Sequence, residues 1–72
     1  MTVREYINIC CEIKGGISQK ELAKRLHQTP QNLNNKLQNG NFRMDFLEDI
    51  ADALDADLQI KFIDRKTGKA IY

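Results

Sequence analysis

Ser18-Gln19-Lys20-Glu21 and Thr29-Pro30 are two helix starts only eleven residues apart, and no other feature constrains the fold so tightly. In the first, a hydroxyl and a carboxylate three residues on make a capping box, and Ile17 ahead of the cap can pack on Leu22. In the second, Thr29 caps and Pro30 takes the first helical position, where its missing N–H costs nothing. The helix begun at Ser18 carries Leu22, Ala23 and Leu26 on one side. Only His27 and Gln28 then separate it from Thr29, so the chain has to change direction sharply.

Two helices across so short a connection make a helix-turn-helix, expected over about residues 18–39. Upstream, Thr2-Val3-Arg4-Glu5 repeats the capping-box grammar. Tyr6, Ile7, Cys10 and Ile13 follow at helical spacing as expected core, and Gly15-Gly16 stops the pattern. In the third helix, about 30–39, Leu33 and Leu37 are the only large apolar side chains, and Gly40 ends it. A fourth helix is expected from about 43–45 to Leu54, with Phe46, Leu47, Ile50, Ala51 and Leu54 inward. Then the period changes to two. Leu58, Ile60 and Phe62 alternate with Gln59, Lys61 and Ile63, Asp64 to Gly68 offers turn chemistry, and Lys69 to Tyr72 can return. The expected fold is mainly α, four helices with a C-terminal β-hairpin at about 57–72, in a single domain over 1–72.

At 72 residues the chain buries only about 60% of the surface of its unfolded form, too little for a deep catalytic cleft. Apolar residues are 42% and charged residues 29%, as in globular proteins. No apolar run exceeds three residues, so no membrane span or signal-peptide core is expected. The two cysteines, Cys10 and Cys11, are adjacent and cannot easily bond each other, which points to a reducing, cytoplasmic setting. His27 is the only histidine and Ser18 the only serine, and Ser18 is accounted for as a cap. No zinc spacing and no phosphate-binding loop is present, so we expect no enzyme, no metal and no cofactor.

The unusual composition is local. Between Gln28 and Asn41, Asn and Gln fill eight of fourteen positions, against three in the rest of the chain. Asparagine is a mediocre helix former, so propensity does not account for the cluster. An amide carries a donor and an acceptor, which lets it pair with the N6 and N7 edge of adenine. It also hydrogen-bonds phosphate oxygens without adding charge.

Ile17 to Leu26, Thr29 to Gly40 and Phe46 to Leu54 together resemble the phage repressor/Cro-type (XRE-like) helix-turn-helix family, with Gln19-Lys20-Glu21-Leu22-Ala23 as the leading motif. The resemblance implies a lambda-repressor-like domain that binds double-stranded DNA with its second helix in the major groove. In it Ala23 lets the two helices cross closely, and His27 takes the turn position often filled by glycine, which requires a left-handed backbone. It implies base contacts from Gln28, Thr29, Gln31, Asn32 and Asn35. Phosphate contacts are expected from Gln19, Lys36, Asn39, Asn41 and Arg43.

A lone hairpin is marginal in water; Ile63, Ile71 and Tyr72 look surplus to a helical core, and with Phe62 they are the expected dimer interface. We therefore expect a homodimer through paired C-terminal strands, which would set two recognition helices about 34 Å apart on an inverted repeat. The net charge of +1 divides unevenly: residues 1–43 carry +4, residues 44–64 carry −6 and residues 65–72 carry +3. The basic half contains the helix-turn-helix. The expected function is a small cytoplasmic transcriptional regulator of repressor type. The alternatives are an antitoxin-like or adaptor protein whose tail binds a protein partner, and an interaction module that has lost DNA binding.

Overall fold

A hydroxyl side chain starts three of the four helices in the computed structural model, which describes residues 1–72. Thr2 precedes α1 (Val3–Ile13), Ser18 precedes α2 (Gln19–Arg25) and Thr29 precedes α3 (Pro30–Asn39). Each oxygen accepts the N–H three residues on, of Glu5, Glu21 and Asn32, at 3.1 Å, which satisfies a donor the helix leaves orphaned. The reciprocal half of the two expected capping boxes does not form. The Glu5 carboxylate accepts the Thr2 hydroxyl at 3.2 Å, and Glu21 pairs with Arg25 at 3.3 Å. A cation one turn along the same face is a stronger partner for Glu21 than a neutral backbone N–H. The fourth helix, α4 (Met44–Ala53), starts at Arg43 without a side-chain cap.

The connection between α2 and α3 is built by backbone hydrogen bonds. Gln28 N–H reaches back to Ala23 O at 2.9 Å and His27 N–H to Lys24 O at 3.1 Å, the two bonds of a Schellman termination. That motif needs one left-handed residue, and His27 supplies it at φ 57°. A left-handed residue with a Cβ costs about 1–2 kcal/mol, while glycine loses about 0.5–1 kcal/mol more conformational entropy on folding. His27→Gly is therefore expected to stabilise the chain by roughly 0.5–1 kcal/mol. A thermal melt checks this, and a fall in Tm would show that the imidazole supports the turn. The end of α4 repeats the device, with Asp55 at φ 54° and Ala56 N–H bonded to Ala51 O at 2.9 Å.

Nine side chains form the core: Ile7 and Cys11 of α1, Leu22 and Ala23 of α2, Leu33 and Leu37 of α3, and Phe46, Ile50 and Leu54 of and just beyond α4. The α2 helix sits between α3 and α4, and Ala23 is fully buried, as close helix packing requires. Arg25 ties α2 to the end of α4 through Nη1 to Ala53 O at 2.9 Å. One expectation is corrected on α1: Tyr6 and Ile13 are not core. They are 60% and 77% exposed, because the buried stripe runs through Ile7 and Cys11, with Cys10 half-buried beside it. Burial raises the pKa of the Cys11 thiol, adjacent Cys10 adds to the rise and Arg25 opposes it. Both cysteines are free.

The C-terminal β-hairpin does not form. Beyond Leu54 no strand exists, and a single antiparallel bridge joins Ile63 to Ala70. The turn itself is present: Gly68 takes φ 70°, its N–H bonds to Asp64 O at 2.8 Å, and the Asp64 side chain accepts Lys66 N–H at 2.8 Å. The strands do not form because their apolar positions stay uncovered: Leu58, Ile60 and Phe62 are all exposed. Alternation specifies a strand only where one face is buried. The expected dimer through paired strands thus lacks its strands, while Phe62, Ile63, Ile71 and Tyr72 remain solvent-facing. No helix is long and apolar enough to cross a membrane.

Candidate nucleic-acid interface

Leu33 and Leu37 decide how α3 is rotated. Both are buried. At about 100° per residue Asn35 then points nearly opposite to them, flanked by Gln31 and Asn39. Gln31, Asn32, Asn35 and Gln38 are exposed and Asn34 is half-buried. The amide-rich side of α3 is thus an open face on a helix held from behind by two leucines. Thr29 is exposed at the start of this face, but its oxygen is engaged as the cap of Asn32 N–H. The hydroxyl proton stays free to donate.

Candidate residues from both sides of α3 meet in one place beside that face. Gln28, Lys36, Asn39, Asn41 and Arg43 line one polar cleft of about 310 Å³, together with Asp45, Phe46 and Asp49. The arrangement follows from local structure. Gly40, left-handed at φ 70°, ends α3 and turns the chain so that Asn41 and Arg43 lie beside Lys36 and Asn39. Phe42 and Phe46 stack with ring centroids 6.2 Å apart, and Lys36 Nζ lies 5.5 Å from the Phe46 ring centre. A cation over an aromatic face is held in place without being neutralised. Arg43 Nε is 3.6 Å from the Asp45 carboxylate, an exposed pair of little energetic weight.

Gln28 links this cleft to another. It also lines a second opening of about 410 Å³ with Ser18, Lys20, Glu21, Lys24 and Pro30, at the starts of α2 and α3. Its Oε1 is enclosed with no donor in reach. An amide left in that state costs about 1–3 kcal/mol relative to a satisfied one.

Four of the five expected phosphate residues and one expected base reader therefore share a site. Gln19 does not: it is the exposed first residue of α2 and lines neither cleft. Lys20 and Lys24 are exposed, and both border the second opening. Phe42 is not singled out in the sequence, where its only cue is being the one apolar residue between Gly40 and Met44. Asp45 and Asp49 place negative charge on the rim of the first cleft, opposing the Lys36 and Arg43 cations.

A family profile described as Domain of unknown function (DUF6471) matches residues 13–58, from the end of α1 to just past α4. That description names no repressor or Cro-type family. No curated protein and no solved structure matches the chain.

Proposed function

The chain belongs to the DUF6471 family, whose function is unknown, and from its own surface we propose that it binds double-stranded DNA as a small regulator of repressor type. The observation that carries this is the convergence of Gln28, Lys36, Asn39, Asn41 and Arg43 on one cleft beside an open amide-rich helix face. The face of Gln31, Asn32 and Asn35 reads base edges in the major groove, and the cleft beside it holds a backbone phosphate. The likeness of residues 17–54 to repressor/Cro-type domains supports the same docking. Two cations facing two carboxylates make the electrostatic contribution small, so hydrogen bonds from amides carry more of the affinity. Such a regulator works in the cytoplasm.

Fluorescence anisotropy with labelled random duplexes at low salt tests the proposal. Binding is expected, with an affinity that falls as salt rises. Lys36→Ala should flatten the log–log slope by about one phosphate contact. Asp49→Asn should tighten binding severalfold, because it removes a negative charge from the cleft that receives the phosphate. No binding even at low salt would overturn the reading. It would favour the adaptor alternative, to which the exposed apolar tail is better suited.

A further inference from the structure

The face of the molecule away from the amide helix is apolar and uncovered. Val3, Tyr6, Cys10 and Ile13 of α1 stand across from Leu47, Ala51 and Leu54 over a groove of about 560 Å³. Residues 56–59 form its edge, so Leu58 and Gln59 both line the groove and begin the tail. None of residues 60–72 enters it. Apart from half-buried Asp64 those residues are exposed, in a molecule 43 Å long and 25 Å by 20 Å across. The tail is not a random coil. Ile71 N–H bonds to Phe62 O and Asp64 N–H to Lys69 O, each at 2.8 Å. These bonds bring Phe62 (78% exposed), Ile71 (71%) and the fully exposed Tyr72 to one end of a closed loop. One chain thus carries an empty apolar groove and an apolar knob that does not fill it.

Charge says what would fill it. Asp57 lines the groove, as does Lys14, and Glu48, Asp52 and Asp55 add three exposed carboxylates on α4 and just beyond it. The loop carries Lys61, Arg65, Lys66 and Lys69, also exposed. The only ion pairs in the chain are Arg25–Glu21 and Arg43–Asp45, so none of these charges has a partner. We propose that the groove between α1 and α4 receives the C-terminal loop of a second copy, so that two chains exchange tails about a two-fold axis. Phe62, Ile71 and Tyr72 of one copy cover Tyr6, Ile13 and Leu47 of the other, while the basic loop lies along the acidic α4. Because the tail leaves from the rim of its own groove, a two-fold axis between the two rims presents each tail to the partner's groove. The contact is isologous and closes at two copies. It uses a surface separate from α3 and does not depend on DNA binding.

The test is sedimentation equilibrium on the full chain and two variants, Phe62→Ser/Ile71→Ser in the tail and Tyr6→Ser/Ile13→Ser in the groove. All four side chains are exposed, and circular dichroism confirms that helix content is unchanged. The wild type is expected to dimerise with a micromolar dissociation constant that weakens with salt, and each variant to lose at least about tenfold in association. An equimolar mixture of the two variants should regain heterodimers, because one intact tail meets one intact groove. Tail-to-tail pairing predicts instead that the groove variant dimerises normally and the mixture regains nothing, which overturns the proposal. A monomeric wild type also overturns it. In that case, binding of a hydrophobic dye that rises in the tail variant would show the tail folding onto its own groove. Dye binding equal in both would leave the groove to an unlike partner.

Discussion

Leu33→Ala is expected to leave the chain largely unfolded at physiological temperature. Leu33 is 0% exposed and is one of two leucines that hold α3 on a core of nine side chains. Truncating a fully buried leucine costs about 2–5 kcal/mol, the transfer loss plus the cavity left behind. A chain of 72 residues has a total stability of roughly 4–11 kcal/mol, and a core this thin belongs at the lower end. Each kcal/mol lost lowers Tm by about 4–8 °C at this size, so Tm should fall by roughly 8–40 °C. Gln38→Ala on the exposed side of the same helix is the control, expected within about 0.5 kcal/mol of wild type. Melts of the two variants within a few degrees of each other would show that α3 is not locked by this leucine, and the orientation of its amide face would fall with it.

Asn32→Ala and Gln31→Ala should each weaken binding to a selected duplex by about 1–3 kcal/mol and relax discrimination at one base pair. That is a loss of roughly five- to 150-fold. Both side chains are exposed and take no part in the fold; the Thr29 cap uses the backbone N–H of Asn32, which alanine keeps. Stability should therefore hold while affinity falls, and this separates a reading role from a structural one. Lys36→Ala should behave differently, lowering affinity for all duplexes alike and changing the salt dependence. Sequences recovered from a random duplex pool by wild type and by each variant make the comparison direct. If both amide variants select the same duplexes with wild-type affinity, the reading face lies elsewhere on the molecule.

Helix ends were legible in the residues because they are set by local chemistry. Thr2, Ser18, Thr29 and Pro30 act within one turn of chain, and the helices begin where these residues place them. His27 was legible as a left-handed position from its place in the motif, and it adopts φ 57°. The strands were not legible correctly. Alternation at Leu58, Ile60 and Phe62 states a local preference, but a strand persists only when a second surface covers one of its faces. The α1 face was misread for a related reason. Tyr6, Ile7, Cys10, Cys11 and Ile13 fit more than one stripe at helical spacing, and only the partner helices select the one through Ile7 and Cys11.

The amide-rich run from Gln28 to Asn41 was plain in the sequence, and so were the chemical types able to meet a base or a phosphate. Which of those side chains share a site was not. Gln28 and Arg43 are fifteen positions apart and meet only because α3 packs back on α2 and Gly40 reverses the chain toward α4. Where four helices start, where α2 turns into α3 and which stretch carries the amides all follow from the residues alone, since each depends on neighbours within a few positions. Packing settles which face of α3 is open, brings Asp45 and Asp49 to its cleft, and leaves an apolar groove uncovered between α1 and α4. Those outcomes depend on how helices rotate against one another to bury nine side chains, and no local spacing encodes that rotation.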